Sequence, residues 1–145
     1  MFTEKKFKTV AIIGGGLIGS SLAHSIRENH LCDNLRIFDS KTDVRKKLKE
    51  IFSSHEICEN LNETVTEADL VFLCVPVGSM RDVAKRISNL LKKGCILTDT
   101  GSTKNSVIKD IQPFIKEDVW FIPSHPLAGT ENSGPGAGFL SLIHI

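Results

Sequence analysis

The chain has 145 residues, 41% of them hydrophobic and 24% charged, with a formal net charge of +1. Those values fit one globular domain with a real core and give no case for nucleic-acid or anionic-membrane binding. No apolar run approaches the ~20 residues of a membrane span.

Residues 1–8 form a polar lead-in. Lys5, Lys6 and Lys8 precede an apolar run in the manner of a secretion signal. That run, however, carries a glycine motif that cleavage would destroy, so a cytoplasmic location is expected. Thr9 to Ile13 suits a buried strand and runs into Gly-x-Gly-x-x-Gly, formed by Gly14, Gly16 and Gly19. A helical pattern follows to about Arg27, with Ile18, Leu22 and Ile26 on one face. A strand, a glycine turn and a helix in that order form the first half of a dinucleotide fingerprint. Gly14 lets the chain turn off the strand, Gly16 lets a pyrophosphate approach, and Gly19 lets helix and strand pack closely. The helix N-terminus at Leu17 and Ile18 offers N–H groups to the phosphates.

The second half of the fingerprint is Leu35 to Phe38, read as a strand ending in Asp39. Asp39 lies about 20 residues past Gly19, where an acid accepts hydrogen bonds from the adenosine ribose. A carboxylate there repels a 2′-phosphate, so NAD is expected over NADP. Ser40 follows at a position where an NADP enzyme often carries Arg.

Asp43 is expected to cap a helix that places Val44, Leu48 and Ile51 on one face. Arg45, Lys46, Lys47 and Lys49 then form a solvated basic face. Ser53 to Glu67 holds at most a short strand near Ile57 and a short helix near Glu63 to Glu67. Leu70 to Val75 suits a central parallel strand ended by Pro76. Asp69 before it reads as a residue without chemistry. Met80, Val83, Ile87, Leu90 and Leu91 mark a helix stopped by Gly94. Ile96 to Asp99 is another strand, Thr100 to Lys104 a loop, and Val107, Ile108 and Ile111 a helix closed by Pro113. Val119 to Ile122 is the last strand, with Trp120 read as a packing residue.

The cysteines, Cys32, Cys58, Cys74 and Cys95, show neither a C-x-x-C pair nor metal spacing with His, so no metal is expected. Cys74 and Cys95 lie in apolar runs and read as buried thiols of a reducing compartment.

Alternating strands and helices predict an α/β fold: a doubly wound, mainly parallel Rossmann-type sheet with helices on both faces. Ligands of such sheets sit at the carboxyl ends of the strands. Gly14, Asp39, Val75, Ser102 and His125 should therefore converge on one crevice, with Cys74 and Pro76 beside Val75 on the cofactor side. An enzyme that takes hydride from an alcohol must also remove the hydroxyl proton, and histidine can accept it. Spacing alone leaves His125 equally open to a structural role and Ser102 to a helix-capping one.

Four segments sharpen the choice: Val10 to Ala23 (VAIIGGGLIGSSLA), Asp69 to Val77 (DLVFLCVPV), Asp99 to Lys104 (DTGSTK) and Ser124 to Glu131 (SHPLAGTE). Together they resemble the prephenate dehydrogenase family, which includes cyclohexadienyl and arogenate dehydrogenases. The resemblance runs from about residue 8 to residue 140. It implies NAD-dependent oxidative decarboxylation of prephenate to 4-hydroxyphenylpyruvate, or of arogenate to tyrosine, in tyrosine biosynthesis. His125 would accept the hydroxyl proton, Ser102 would orient it, and Thr130 and Glu131 would lie near the substrate.

The resemblance also implies a homodimer formed through a helical second domain, which is expected to follow the nucleotide-binding domain (1–140) and does not appear in the sequence. Residues 141–145 read as an atypical apolar tail. On this reading the chain alone would expose an apolar patch, bind NAD, and turn over substrate weakly or not at all. Two other readings are a 3-hydroxyacid-type NAD(P) dehydrogenase and a non-catalytic NAD-sensing module. The SHPLAGTE segment argues against the first; the second gives Ser102 and His125 no reason to share a crevice.

Overall fold

The structure, a computed structural model, describes residues 7–126 and 134–138. Five strands form one parallel sheet: β1 (Phe7–Ile13), β2 (Cys32–Phe38), β3 (Leu70–Leu73), β4 (Ile96–Asp99) and β5 (Trp120–Ile122). Their spatial order is β2-β1-β3-β4-β5. Five helices connect and cover them: α1 (Leu17–Glu28), α2 (Thr42–Ile51), α3 (Leu61–Val65), α4 (Val77–Ile87) and α5 (Lys104–Ile111). The expected doubly wound sheet is therefore present. The chain steps from β1 outward to β2, then returns to β3 on the other side of β1. That reversal creates a crevice between the carboxyl ends of β1 and β3.

The pleat of β1 explains the two cores. Val10 and Ile12 point to one face and pack with Ala23 and Ile26 of α1 and Leu48 of α2. Ala11 and Ile13 point to the other and pack with Val65, Met80, Ala84, Ile87, Val107 and Ile111. A central strand buried on both faces reads as a continuous apolar run, which is why β1 is so plain in the sequence.

Local expectations fail where a few residues decide. The N-cap of α2 is Lys41, without a side-chain cap, and Asp43 lies inside the first turn, where its charge still suits the helix dipole. Arg45 does not belong to the solvated face: its side chain is only 14% exposed. In the region least legible from sequence, Ile57 forms an isolated parallel bridge with Ile37, and α3 starts at Leu61 under an Asn60 cap. Helix α4 ends at Ile87, and a turn follows in which the N–H groups of Leu90 and Leu91 return to the Ile87 carbonyl. Gly94, at φ +79°, serves the turn into β4 and does not stop the helix. Cys95 is buried as expected, and so is the Cys74 thiol, although the residue Cys74 as a whole is half-buried. Trp120 is 68% exposed and does not pack in the core.

No helix among the described residues is long and apolar enough to cross a membrane. Among them, too, no cluster of His, Cys, Asp and Glu could hold a metal ion.

Candidate nucleotide site and catalytic loops

The glycine turn follows β1 directly. Gly14 adopts φ +102°, and a Cβ there would overlap the Cys74 carbonyl. A Cβ on Gly19 would overlap the Gly14 carbonyl and come within 3.3 Å of Ile12 Cγ2. Both glycines are thus required by the fold itself, because they let β1, α1 and the end of β3 meet. Gly16 differs. A Cβ there would meet nothing within 4 Å. It is the N-cap of α1 and supplies no side-chain cap, so the first-turn N–H groups of Leu17 and Ile18 lack a side-chain acceptor at that end. Open space at Gly16 in front of an uncapped helix N-terminus suits a pyrophosphate.

Asp39 lies at the end of β2, across from the turn. Its Oδ2 accepts the Gly15 N–H at 2.9 Å and its Oδ1 accepts the Lys41 N–H at 2.9 Å. The carboxylate is thereby aimed, and each oxygen keeps a lone pair for a ribose hydroxyl. The Gly15 bond also joins the two halves of the fingerprint. Arg45 reinforces the loop from behind. Its guanidinium donates to the Asp39 carbonyl (2.8 Å) and the Ser40 carbonyl (3.3 Å), and pairs with Glu59 at 3.2 Å. Ser40 is exposed beside it.

Cys74, Val75 and Pro76 follow β3 on the far side of the crevice. The Cys74 N–H donates to the Ile13 carbonyl at 2.7 Å, which places this segment against the glycine turn. Burial pushes the Cys74 thiol up to about 12, outweighing a Thr100 hydrogen bond, so the sulfur stays protonated and inert. Pro76 is the N-cap of α4.

Ser102 follows β4 and His125 follows β5, and both side chains are exposed at the same carboxyl edge. Among the described residues no hydrogen bond joins them to each other. Their loops are joined instead through Asp99, the last residue of β4, which is completely buried. Asp99 Oδ2 accepts the Gly101 N–H at 2.8 Å and the Lys104 ammonium. Asp99 Oδ1 accepts the Ser124 N–H at 3.2 Å. The Ser124 hydroxyl donates to the Asp99 carbonyl, and Thr98 donates to Ser124 Oγ at 3.1 Å. Sequence reasoning missed Asp99, Lys104 and Ser124 as a unit. All three lie in the DTGSTK and SHPLAGTE segments, but nothing in the sequence pairs one segment with the other. Thr130 and Glu131, assigned to the substrate, lie outside the described residues, as does the tail 141–145.

With this geometry in place, comparison with known proteins is informative. Residues 22–144 match the family model of the prephenate dehydrogenase nucleotide-binding domain. The chain is 44% identical to a cyclohexadienyl dehydrogenase of Zymomonas mobilis, over 94% of this chain and 46% of that protein. It superposes with a TM-score of 0.83 on a prephenate dehydrogenase from A. aeolicus in complex with hydroxyphenyl propionate and NAD⁺, at 27% identity over 94% of this chain and 47% of that one. It superposes with a TM-score of 0.82 on a Synechocystis arogenate dehydrogenase, at 25% identity over 92% and 46%. The chain thus spans less than half the length of each of these relatives. The glycine turn precedes the region matched by the family model, whereas Asp39 lies inside it. The chain belongs to the prephenate dehydrogenase family, whose nucleotide-binding domain it carries.

Proposed function

We propose that this domain binds NAD⁺ across the β1–β3 crevice and that the full-length protein uses it to oxidise and decarboxylate prephenate or arogenate. The observation that carries the reading is the common placement of three loops. The glycine turn with Asp39, the segment with Ser102 and the segment with His125 all leave the same carboxyl edge of the sheet. Gly16 and the first-turn N–H groups of α1 would hold the pyrophosphate. Asp39 would hold the adenosine ribose and repel a 2′-phosphate, favouring NAD⁺ over NADP⁺. Cys74, Val75 and Pro76 would line the opposite wall.

When bound, NAD⁺ supplies the acceptor for a hydride leaving the ring carbon that bears the 4-hydroxyl. His125, exposed at this edge, takes the hydroxyl proton as that carbon becomes a carbonyl. Ser102 hydrogen-bonds the same hydroxyl and fixes its direction. Loss of the ring carboxylate as CO₂ then returns its bonding electrons to the ring, which becomes aromatic. The same reading assigns Thr130 and Glu131 to the substrate side and a homodimer to the full-length form.

Calorimetry with NAD⁺ and NADP⁺ tests the cofactor half. NAD⁺ should bind preferentially to the wild-type chain, and Asp39→Ala should weaken it. A folded chain that binds neither nucleotide overturns the reading. In a chain of the relatives' full length, His125→Asn should lower kcat by about 10²- to 10⁴-fold while NAD⁺ affinity holds. A variant that keeps its kcat removes His125 from the mechanism.

A further inference from the structure

We propose that Asp99 is a positioning residue for the reaction, setting the Ser102 loop and the His125 loop in one register through its charge pair with Lys104. This inference rests on the reading of Ser102 and His125 as the proton-handling pair.

The carboxylate of Asp99 is completely buried. An isolated buried carboxylate is costly, so its partners matter. They divide between the two loops. Oδ2 takes Gly101 and Lys104, which stand on either side of Ser102, and Oδ1 takes the amide of Ser124, the residue before His125. The Ser124 hydroxyl adds a second tie to the Asp99 carbonyl. Gly101 is packed tightly as well, because a Cβ there would stand 2.9 Å from Val107 Cγ2 and 3.2 Å from Met80 Cε. Neither loop can shift far without disturbing the bonds of the one carboxylate they share.

Lys104 makes the arrangement specific. It begins α5, where the helix dipole disfavours a cation, so an ammonium at this position needs a compensating anion. Asp99 provides it. Another partly buried ion pair, Lys92–Asp69, lies at the opposite edge of the sheet and ties strand starts together, away from the crevice. Among the described residues, Asp99 alone combines full burial with bonds to both loops that leave the carboxyl edge near the proposed chemistry. A shift of the order of 1 Å between Ser102 and His125 is enough to lower turnover by about 100-fold.

The test uses a chain of the relatives' full length, assayed with prephenate and NAD⁺. Asp99→Asn and Lys104→Met should each lower kcat by about 10- to 100-fold, with the NAD⁺ dissociation constant unchanged. The double variant should lose little more than either single one, because both remove the same interaction. Lys104→Arg, which keeps the charge, should recover much of the loss. If Asp99→Asn does not fold, Lys104→Met decides, since Asp99 then keeps its amide donors. Wild-type kcat in a folded Lys104→Met variant overturns the proposal, as does a loss that is additive in the double variant. His125→Asn is run in parallel. If it is impaired while Lys104→Met is not, this inference fails and the proposed function stands. If His125→Asn is fully active, the assignment of the pair fails and this inference falls with it.

Discussion

At the scale of single residues, the three glycines of the fingerprint separate into two kinds. Gly14 and Gly19 are held by contact with backbone, so a side chain at either must displace the chain. Gly16 faces open space and has φ −74°, which any residue adopts. Gly16→Ala should therefore fold with nearly unchanged thermal stability and lose NAD⁺ affinity by about tenfold or more, because its methyl group fills the space for the pyrophosphate. Gly19→Ala should fail to fold or lose several kcal/mol, since a backbone overlap cannot relax as a flexible side chain can. Thermal melts and NAD⁺ titrations of the two variants check this directly, and equal stability losses would contradict it. The close packing at Gly14 and Gly19 was legible in the sequence because it follows from spacing in a strand–turn–helix. Asp99 was not legible. At the end of an apolar strand it reads as a simple terminator, and its partners Lys104 and Ser124 reach it only once β4 and β5 are paired.

At the scale of elements, periodicity located the strands and helices of the sheet, and local polar contacts decided where they end. Asp69 shows how such a contact works. It reads as inert in the sequence, yet Oδ2 accepts the amides of Lys8 (2.8 Å) and Thr9 (2.9 Å), and Oδ1 accepts the Lys92 ammonium at 2.6 Å. One side chain therefore fastens the amino end of β1 to that of β3 and to the turn before β4. The Lys92 hydrogen bond, followed by the Thr9 amide, holds the Asp69 carboxyl below its usual range, and Asp69 in turn raises Lys92. The signs fix the pH window. A depressed carboxylate contributes stability above its unfolded value of about 3.9 and loses it as the pH falls toward the folded value. A raised ammonium contributes below its unfolded value of about 10.4 and loses that contribution as the pH rises through the folded one. Asp69→Asn should destabilise the domain by about 1–2 kcal/mol at neutral pH, a figure that allows for the partial exposure of the pair. Urea titrations at neutral pH and near pH 3 should show the gap from wild type shrinking in acid. A gap that stays constant would mean that ionisation of Asp69 is not the source of the effect.

At the scale of the whole molecule, the two faces of the sheet are covered unequally. Helices α3, α4 and α5 build one core along β1, β3 and β4, and Phe121 of β5 packs against it. On the opposite face α1 and α2 lie over β1 and β2. Trp120 and Ile122 alternate with Phe121 and so point away from its core; they are 68% and 53% exposed. The sequence run Val119 to Ile122 reads as a strand with Trp120 packed, because an apolar run records what a residue can bury and not what lies across from it. Two large apolar side chains on an edge strand form a surface prone to association. Trp120 reports on it cleanly, being the only tryptophan of a chain with no tyrosine. At low concentration its fluorescence should be that of a water-exposed indole, open to quenching by acrylamide. Raising the concentration should shift the emission to the blue and protect it, if copies meet through β5. Trp120→Ser should remove concentration-dependent sedimentation while changing folding stability by no more than about 0.5 kcal/mol, as for other exposed positions. An indole that is already blue-shifted and shielded in the dilute chain would contradict an open β5. A large stability loss in Trp120→Ser would show instead that Trp120 belongs to a core.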